Sequence, residues 1–408
     1  MKEDKLISLV KTLISKKSIT PFDDGVMNVL INFLSGLGFK SNLQNFSSQK
    51  NDGNIENVLN LYSYKNFVNK DENDAALLKN LCFAGHVDVV HPGKEYKWMY
   101  PAFEPTIENG ILYGRGVSDM KAAIACFCIA VNELIEEKIN ITGTISFLIT
   151  GDEEGSGENG TKKMLQYLQQ NNIVIDDCII GEPTNPEKMG TMIKIGRRGS
   201  VTFNLTIEGI QGHIAYPENF LNPIDAIAGV ILKLKSYQFD NGNEFFNPTN
   251  LEFFKIEADN IASNVVPNSS SIGFNIRFNN LHSSNSIIKI VESIISKEIN
   301  DLNNDLQSDF KYKYQLKTST SGESFITQSD IHLVKSIQDA VRTICNSNPV
   351  LSTSGGTSDA RFIKDYTHTV EFGMISKTAH QIDENEKVQD IITLKNIYKQ
   401  FIKNYFLL

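Results

Sequence analysis

The stretch from Phe83 to Gly93 reads FAGHVDVVHPG. An apolar run stops at Gly85, and His86 and Asp88 follow two residues apart. In extended chain, residues i and i+2 point to the same face, so an imidazole and a carboxylate would project together from a strand end. Similar residues follow other apolar runs. Asp119 lies in GRGVSDMK, Asp152-Glu153-Glu154 follow TISFLIT, Glu182 follows DCIIG, and His380 lies in SKTAHQIDE. His91, in the opening stretch, reads as a loop histidine.

A single His or Glu at a strand end is ordinarily structural; the recurrence is what carries meaning. In an open α/β sheet the ligand crevice lies beyond the carboxyl ends of the strands, so these side chains would converge at one edge. That many carboxylates repel one another unless a cation offsets them, and a divalent metal would do so. Two imidazoles with several carboxylates suit zinc, cobalt or manganese, whereas calcium and magnesium prefer oxygen donors alone. Two adjacent glutamates in a glycine-bounded turn do not easily reach one ion together. One of Glu153 and Glu154 would be a ligand, and the other a base for water.

One motif competes. Gly155 to Gly160 fits G-x-G-x-x-G after a strand and before a helix, and Asp176 lies at a spacing suited to a ribose hydroxyl. That pattern would mark a dinucleotide-binding oxidoreductase. Yet Asp152, Glu153, Glu154 and Glu158 crowd the place of the pyrophosphate, and a helix N-terminus does not readily offset that repulsion.

The elements that must position these residues can be read from periodicity. Residues 1–38 read as two helices, the first broken at Ser18-Ile19-Thr20-Pro21 and the second ended by Gly36 and Gly38. Residues 41–80, rich in Asn, Ser and Lys, read as surface with a weak strand or loop. From 81 to 192, short apolar runs at 81–84, 144–149 and 178–180 lead into polar loops, with helical patterns between them. This predicts an α/β catalytic domain with a mostly parallel central sheet.

Near 200 the pattern becomes alternation. Val201, Phe203, Leu205 and Ile207 share one face, as do Ile272, Phe274, Ile276 and Phe278, and Phe310, Tyr312, Tyr314 and Leu316. Helical segments 223–236 and 286–299 lie between these runs, giving the strand-helix-strand-strand-helix-strand order of a ferredoxin-like α+β unit. Residues 237–252 read as irregular. After about 318 the chain returns to a helix, 331–345, and short apolar runs. The expected organisation is a catalytic domain of residues 1–192 and 318–408, interrupted by an inserted domain of residues 193–317.

The composition is 41% hydrophobic and 21% charged, with a net charge of −9. No Lys/Arg stripe is present, so neither nucleic acid nor an anionic membrane is the expected partner. No uncharged run reaches membrane-spanning length. The opening MKEDKLISLVKTLISKKS places Leu6, Val10 and Leu13 at helical spacing and does not read as a signal peptide. The five cysteines are scattered, with Cys126 and Cys128 in an apolar helix pattern. They read as core thiols in a reducing, cytoplasmic compartment.

The motifs GHVDVV, GRGVSDMKAA, TGDEEGSGENG, GEP and AHQIDE resemble those of the M20 metallopeptidase/deacylase family, over nearly the whole chain. Within that family GRRGS, QGHIAYP, NVVP, FNIRF and TSGGTSDARF resemble the succinyl-diaminopimelate desuccinylase branch. The resemblance implies a zinc-peptidase-like catalytic domain with an inserted dimerisation domain, a homodimer, and two Zn2+ per subunit, with Co2+ an option in one site. It implies that His86 binds one ion with the Asp88 carboxylate as its partner, that Asp119 bridges both ions, and that Glu182 completes the first site. Glu154 and His380 would complete the second, and Glu153 would be the general base and acid. His213 would help hold the oxyanion, reaching the other subunit's site.

The resemblance further implies that Arg197 or Arg198, with Asn264, Arg277, Ser354, Gly355, Gly356 and Thr357, would grip the substrate's carboxylates and backbone, a task that suits guanidinium. The implied reaction is hydrolysis of N-succinyl-LL-2,6-diaminopimelate. An N-acetylornithine deacetylase or dipeptidase activity is the alternative within the family. A silent binding protein on the same fold is the alternative outside it, against which the intact ligand set and Glu153 speak. The stretch at about 48–79 is longer than usual for the family, and Ala360 stands where Gly is common.

Overall fold

A computed structural model of the chain describes residues 2–49, 53, 55–67, 79–258, 262–307 and 309–407. It divides into two compact units: residues 1–196, 327–352 and 358–408 form one, and residues 197–326 and 353–357 the other.

The first unit is built on an eight-stranded sheet. Its strands run in the order Lys40–Gln49, Ile55–Phe67, Gly143–Thr150, Asn80–His86, Asp177–Ile180, His368–Glu371, Met192–Lys194 and Val350–Ser352. The four from Gly143–Thr150 to His368–Glu371 are parallel neighbours, and antiparallel pairs flank them. The sheet is therefore parallel at its centre and mixed as a whole. Helix Ala122–Glu136 is apolar almost all round and buried along its length, as a central core helix must be. Phe127 on it stacks on Phe83 with centroids 4.5 Å apart and meets Phe147 edge-on at 5.5 Å. Tyr398, on helix Val388–Phe406, packs edge-on against both Phe83 and Phe127. Truncating a fully buried Phe such as Phe83 costs about 3–5 kcal/mol, so this cluster rigidly holds the strand that ends in His86.

The expectation of surface with a weak strand or loop at 41–80 is corrected here. Strand Ile55–Phe67 is an integral member of the sheet, pairing Gly143–Thr150 on one side and Lys40–Gln49 on the other. Val58, Leu61 and Tyr62 are buried, but so are Asn60 and Ser63. Asn60 Oδ1 accepts from Thr150 Oγ1 at 2.8 Å, and its Nδ2 donates to the carbonyl of Asn159 at 2.9 Å. Buried polar groups satisfied across the sheet break the apolar pattern that marks a strand. Residues 50–52, 54 and 68–78 of the long 48–79 stretch lie outside the described residues.

The second unit is a four-stranded antiparallel sheet in the order Asn250–Ala258, Ser269–Phe278, Gly199–Glu208 and Lys313–Gly322. Helices Pro223–Ser236 and Ser284–Asp305 complete the ferredoxin-like unit. The alternating residues Val201, Phe203, Leu205 and Ile207 are all buried, with Ile272, Phe274, Ile276 and Phe278 beside them. Phe203 and Phe274 stack at 4.8 Å. Asn222 caps the first helix ahead of Pro223, and Ser283 with Ser286 forms a capping box on the second.

Two local expectations change. The strand Asn250–Ala258 begins inside the segment read as irregular. The last strand starts at Lys313, so Phe310 and Tyr312 precede it. Tyr312 is buried in the apolar core of this unit, and its hydroxyl donates to the carbonyl of Asn222 (3.1 Å). The units divide at 196/197 and 326/327, four and nine residues beyond the expected 192/193 and 317/318. Residues 353–357 join the second unit, where Arg197 Nη1 donates to the carbonyl of Gly356 at 2.8 Å.

Candidate metal centre

Three parallel strands of the first unit deliver acidic or imidazole groups just past their carboxyl ends. Asn80–His86 ends in His86, Gly143–Thr150 leads into Asp152-Glu153-Glu154, and Asp177–Ile180 leads into Glu182. Asp119 lies in the irregular turn Val117–Lys121 ahead of the core helix. His380 lies between strand His368–Glu371 and helix Val388–Phe406, at φ 65°.

These groups meet. His86 Nε2 lies 3.2 Å from Asp119 Oδ1 and 3.8 Å from Glu182 Oε1. His380 Nε2 lies 3.0 Å from Asp119 Oδ2 and 2.7 Å from Glu154 Oε1. Donor atoms of His86, Asp119 and Glu154 fall within 4.8 Å of one another, as do those of His86, Glu153 and Glu182. The two groups share His86, and the Asp119 carboxylate lies between His86 and His380. Such a set of nitrogen and oxygen donors fits divalent cations.

The electrostatics agree with the donor set. Burial disfavours a charged His86, yet the Asp119 carboxylate and the nearby charges of Glu153 and Asp88 hold its pKa well above the usual value. Asp119 and Glu154 raise His380 to about 10. Burial pushes Glu153 well up, and the neighbouring Glu182 adds to the shift. Upward shifts of this kind are what clustered buried carboxylates produce, and a cation would offset the same negative charge.

Asp88 departs from expectation. His86 Nδ1 meets the main-chain oxygen of Asp88 at 2.9 Å, while its carboxylate is 3.7 Å away. That carboxylate instead accepts the backbone N–H groups of Glu153 (3.2 Å) and Glu154 (3.0 Å). The strand ends at His86, so the i, i+2 rule for extended chain no longer applies at Asp88. Asp88 thus ties the ends of two strands together. Burial raises its pKa to about 6.

The glycine-rich loop is closed by its own acid. Asp152 Oδ2 accepts from the N–H of Asn159 at 3.0 Å and from Ser156 Oγ at 3.4 Å, and a Cβ on Gly155 would clash with Asp152 Oδ1. A carboxylate occupies the cradle a phosphate would need. Asp176 sits at the opposite end of the sheet, accepting from the N–H of Asn80 at 2.7 Å. The dinucleotide pattern therefore has no site here. His91 is an exposed loop residue whose Nδ1 accepts from the N–H of Gly93.

The remaining candidates belong to the second unit. Exposed His213 pairs in a short two-stranded ribbon with Val265, and the carbonyl of Asn264 accepts the N–H of Ile214 at 3.1 Å. His213 Nδ1 accepts from the N–H of Ala215 at 3.1 Å, which leaves the ring proton on Nε2 as a donor. Arg198 Nη1 donates to Asn250 Oδ1 at 2.8 Å, and Asn250 lies opposite Arg277 in the sheet, so the two arginines stand side by side. Arg198 Nε and Arg277 Nη1 are buried without a hydrogen-bond partner among the described residues. Arg197 is engaged with Gly356. Ser354, Gly355 and Gly356 form an exposed turn leading to half-buried Thr357, and Gly355 adopts φ 106°, a conformation that favours glycine.

Two residues escaped the sequence reading. Arg115 and Glu384 form a buried ion pair beneath the Asp119 turn. Each lies inside a motif already singled out, GRGVSDMK and AHQIDE, and its charged side chain beside a candidate ligand was the available signal.

Comparison with known proteins places this arrangement. The family model described as peptidase family M20/M25/M40 matches residues 82–404. The chain is 44% identical over 400 residues to the succinyl-diaminopimelate desuccinylase of Pelagibacter ubique (strain HTCC1062), covering 98% of each chain. It is 42% identical over 401 residues to the enzyme of that name from Ehrlichia canis (strain Jake), again covering 98% of each. Among solved structures, aminopeptidase PepT from Bacillus cereus superposes with a TM-score of 0.76 at 19% identity, covering 99% of this chain and 98% of that one. The Bacillus subtilis YXEP protein, described as a dinuclear metal binding peptidase from the M20 family, gives 0.69 at 12% identity, covering 98% and 97%. These two share the fold. With the family model spanning most of the sequence and full-length relatives above 40% identity, the chain belongs to the peptidase family M20/M25/M40.

Proposed function

We propose that this chain hydrolyses the succinyl amide of N-succinyl-LL-2,6-diaminopimelate, releasing succinate and LL-2,6-diaminopimelate for lysine and cell-wall precursor synthesis. The observation that carries this reading is the likeness, over 98% of both chains, to curated enzymes of that name. The donor set at the strand ends supports it.

Two divalent ions, Zn2+ in both sites or Co2+ in one, would supply Lewis acidity and make a bound water easier to deprotonate. His86, Asp119 and Glu182 would hold the first, and Asp119, Glu154 and His380 the second. Glu154 is committed to His380, which leaves Glu153 to accept the water's proton and return it to the departing amine. The Nε2 donor of His213 suits a developing oxyanion. Arg198 and Arg277, with unpaired buried N–H groups, suit substrate carboxylates, each of which accepts a guanidinium through two parallel hydrogen bonds. Asn264 and the 354–357 turn would contact the substrate's polar backbone, and Arg197 would hold that turn.

The chain would act as a cytoplasmic homodimer in which His213 serves the partner's site. In support, strand Asn250–Ala258 is a sheet edge with Phe254 and Ile256 exposed, a surface open to pairing with a second copy. The five cysteines are free, as a reducing compartment requires. No helix among the described residues is long and apolar enough to cross a membrane.

The test is hydrolysis of N-succinyl-LL-2,6-diaminopimelate beside N-acetylornithine and a dipeptide, with metal content measured on the same sample. The succinyl substrate should give the highest kcat/KM. Preference for either competitor overturns the assignment.

A further inference from the structure

The Glu384 carboxylate is fully buried and receives four donors. Arg115 Nη1 reaches Oε2 at 2.6 Å, and the N–H of Gly116 reaches the same oxygen at 3.1 Å. The N–H groups of Ser118 (2.9 Å) and Asp119 (3.2 Å) reach Oε1. One side chain thus gathers three main-chain amides of the turn that carries Asp119. Arg115 in turn donates through Nη2 to the carbonyl of His380 at 3.4 Å, and its guanidinium lies over the Trp98 ring at 5.2 Å. The pair therefore links the turn bearing Asp119 to the loop bearing His380, two segments more than 260 residues apart.

We infer that Arg115 and Glu384 are positioning residues that set the geometry of the second metal site, the one formed by Asp119, Glu154 and His380. This rests on the two-metal reading of the centre. Two of that site's three ligands hang on backbone held by the pair, whereas the first site depends on it only through Asp119. A generic buried ion pair would support the fold and treat the two ions alike. This one grips the ligand-bearing backbone itself, and groups that orient ligands in this way commonly change metal affinity by about 10- to 100-fold when altered.

The experiment uses the full-length chain, stripped of metal and titrated with Co2+ and separately with Zn2+. Isothermal titration calorimetry and the visible absorption of Co2+ are the readouts, and the thermal midpoint of the metal-free protein is recorded alongside. Glu384→Gln removes the charge but keeps the size. Arg115→Lys keeps the charge but loses the planar fork that reaches Glu384 and His380 together. Both variants should bind one ion about 10- to 100-fold more weakly, with the other shifted far less, and the Co2+ spectrum of the weakened site should change. Unchanged binding in both variants overturns the inference. Equal weakening of both ions, or loss of fold in both, makes the pair a general strut and overturns it as well. Fewer than two ions in the unaltered protein would instead sink the two-metal reading itself.

Discussion

The two carboxylate oxygens of Asp119 face two different histidines: Oδ1 lies 3.2 Å from His86 Nε2, and Oδ2 lies 3.0 Å from His380 Nε2. A single carboxylate is thus shared by two clusters of ligands, and the two ions should be separable. Replacing His380 by Ala leaves His86, Asp119 and Glu182 intact. Elemental analysis should then find about one ion retained, whereas Asp119→Ala should lose both. Equal loss of both ions from His380→Ala would mean that the ligands are divided differently.

Glu153 is expected to move the proton without holding an ion. Glu153→Gln should keep its metal content while turnover falls by roughly two orders of magnitude or more. Near-normal turnover in a metal-replete sample would remove Glu153 from this role.

On the proposed role of its imidazole at the oxyanion, His213→Ala should lose activity while retaining both ions. Mixing this variant with Glu153→Gln and letting subunits exchange makes the sharper measurement. One site of each mixed dimer would then combine an intact Glu153 with an intact His213, and activity should partly return. Exchange confirmed by mass without any return of activity would reject a contribution from the partner subunit.

Arg198 and Arg277 each carry a buried N–H with no partner among the described residues. A hydrogen bond to a charged group is worth about 1.5–3 kcal/mol. Arg277→Met or Arg198→Met should therefore lower kcat/KM for the succinyl substrate by about 10- to 100-fold at unchanged metal content. An equal fall for N-acetylornithine would show that the arginines do not read the succinyl carboxylate.

A pH dependence of stability follows from Glu386, whose carboxyl is pushed up to about 8, chiefly by burial. The folded state keeps this proton where the unfolded chain, near 4.5, has released it. Its contribution to stability is present below about 4.5 and is lost as pH rises through about 8. Glu386→Gln, which mimics the protonated form, should gain on the unaltered protein between pH 5 and 9, by at least about 2 °C in Tm at the alkaline end. A Tm difference that does not vary with pH would show that Glu386 is not protonated in the fold.

Much of the centre was legible without coordinates because its signals are local. An apolar run that breaks at a glycine and is followed by His or Glu describes both a strand and what the strand end presents. His86, Glu153, Glu154 and Glu182 all follow this rule, and the alternation at Val201–Ile207 and Ile272–Phe278 likewise predicted a half-buried sheet. What escaped depends on partners distant in sequence. Strand Ile55–Phe67 is masked by buried Asn60 and Ser63, whose polarity is tolerable only because hydrogen-bond partners close over them. The Asp88 carboxylate turns to the Glu153-Glu154 amides because the strand stops at His86, and only the folded chain shows where it stops. Arg115 and Glu384 are separated by 269 residues, and no periodicity links them. The sequence by itself determined which chemical groups stand at which strand ends, since that follows from side-chain period and turn residues. Only the tertiary structure decided which of them come within reach of one another and which main-chain groups hold them, because both depend on contacts between segments that meet only when the core is packed.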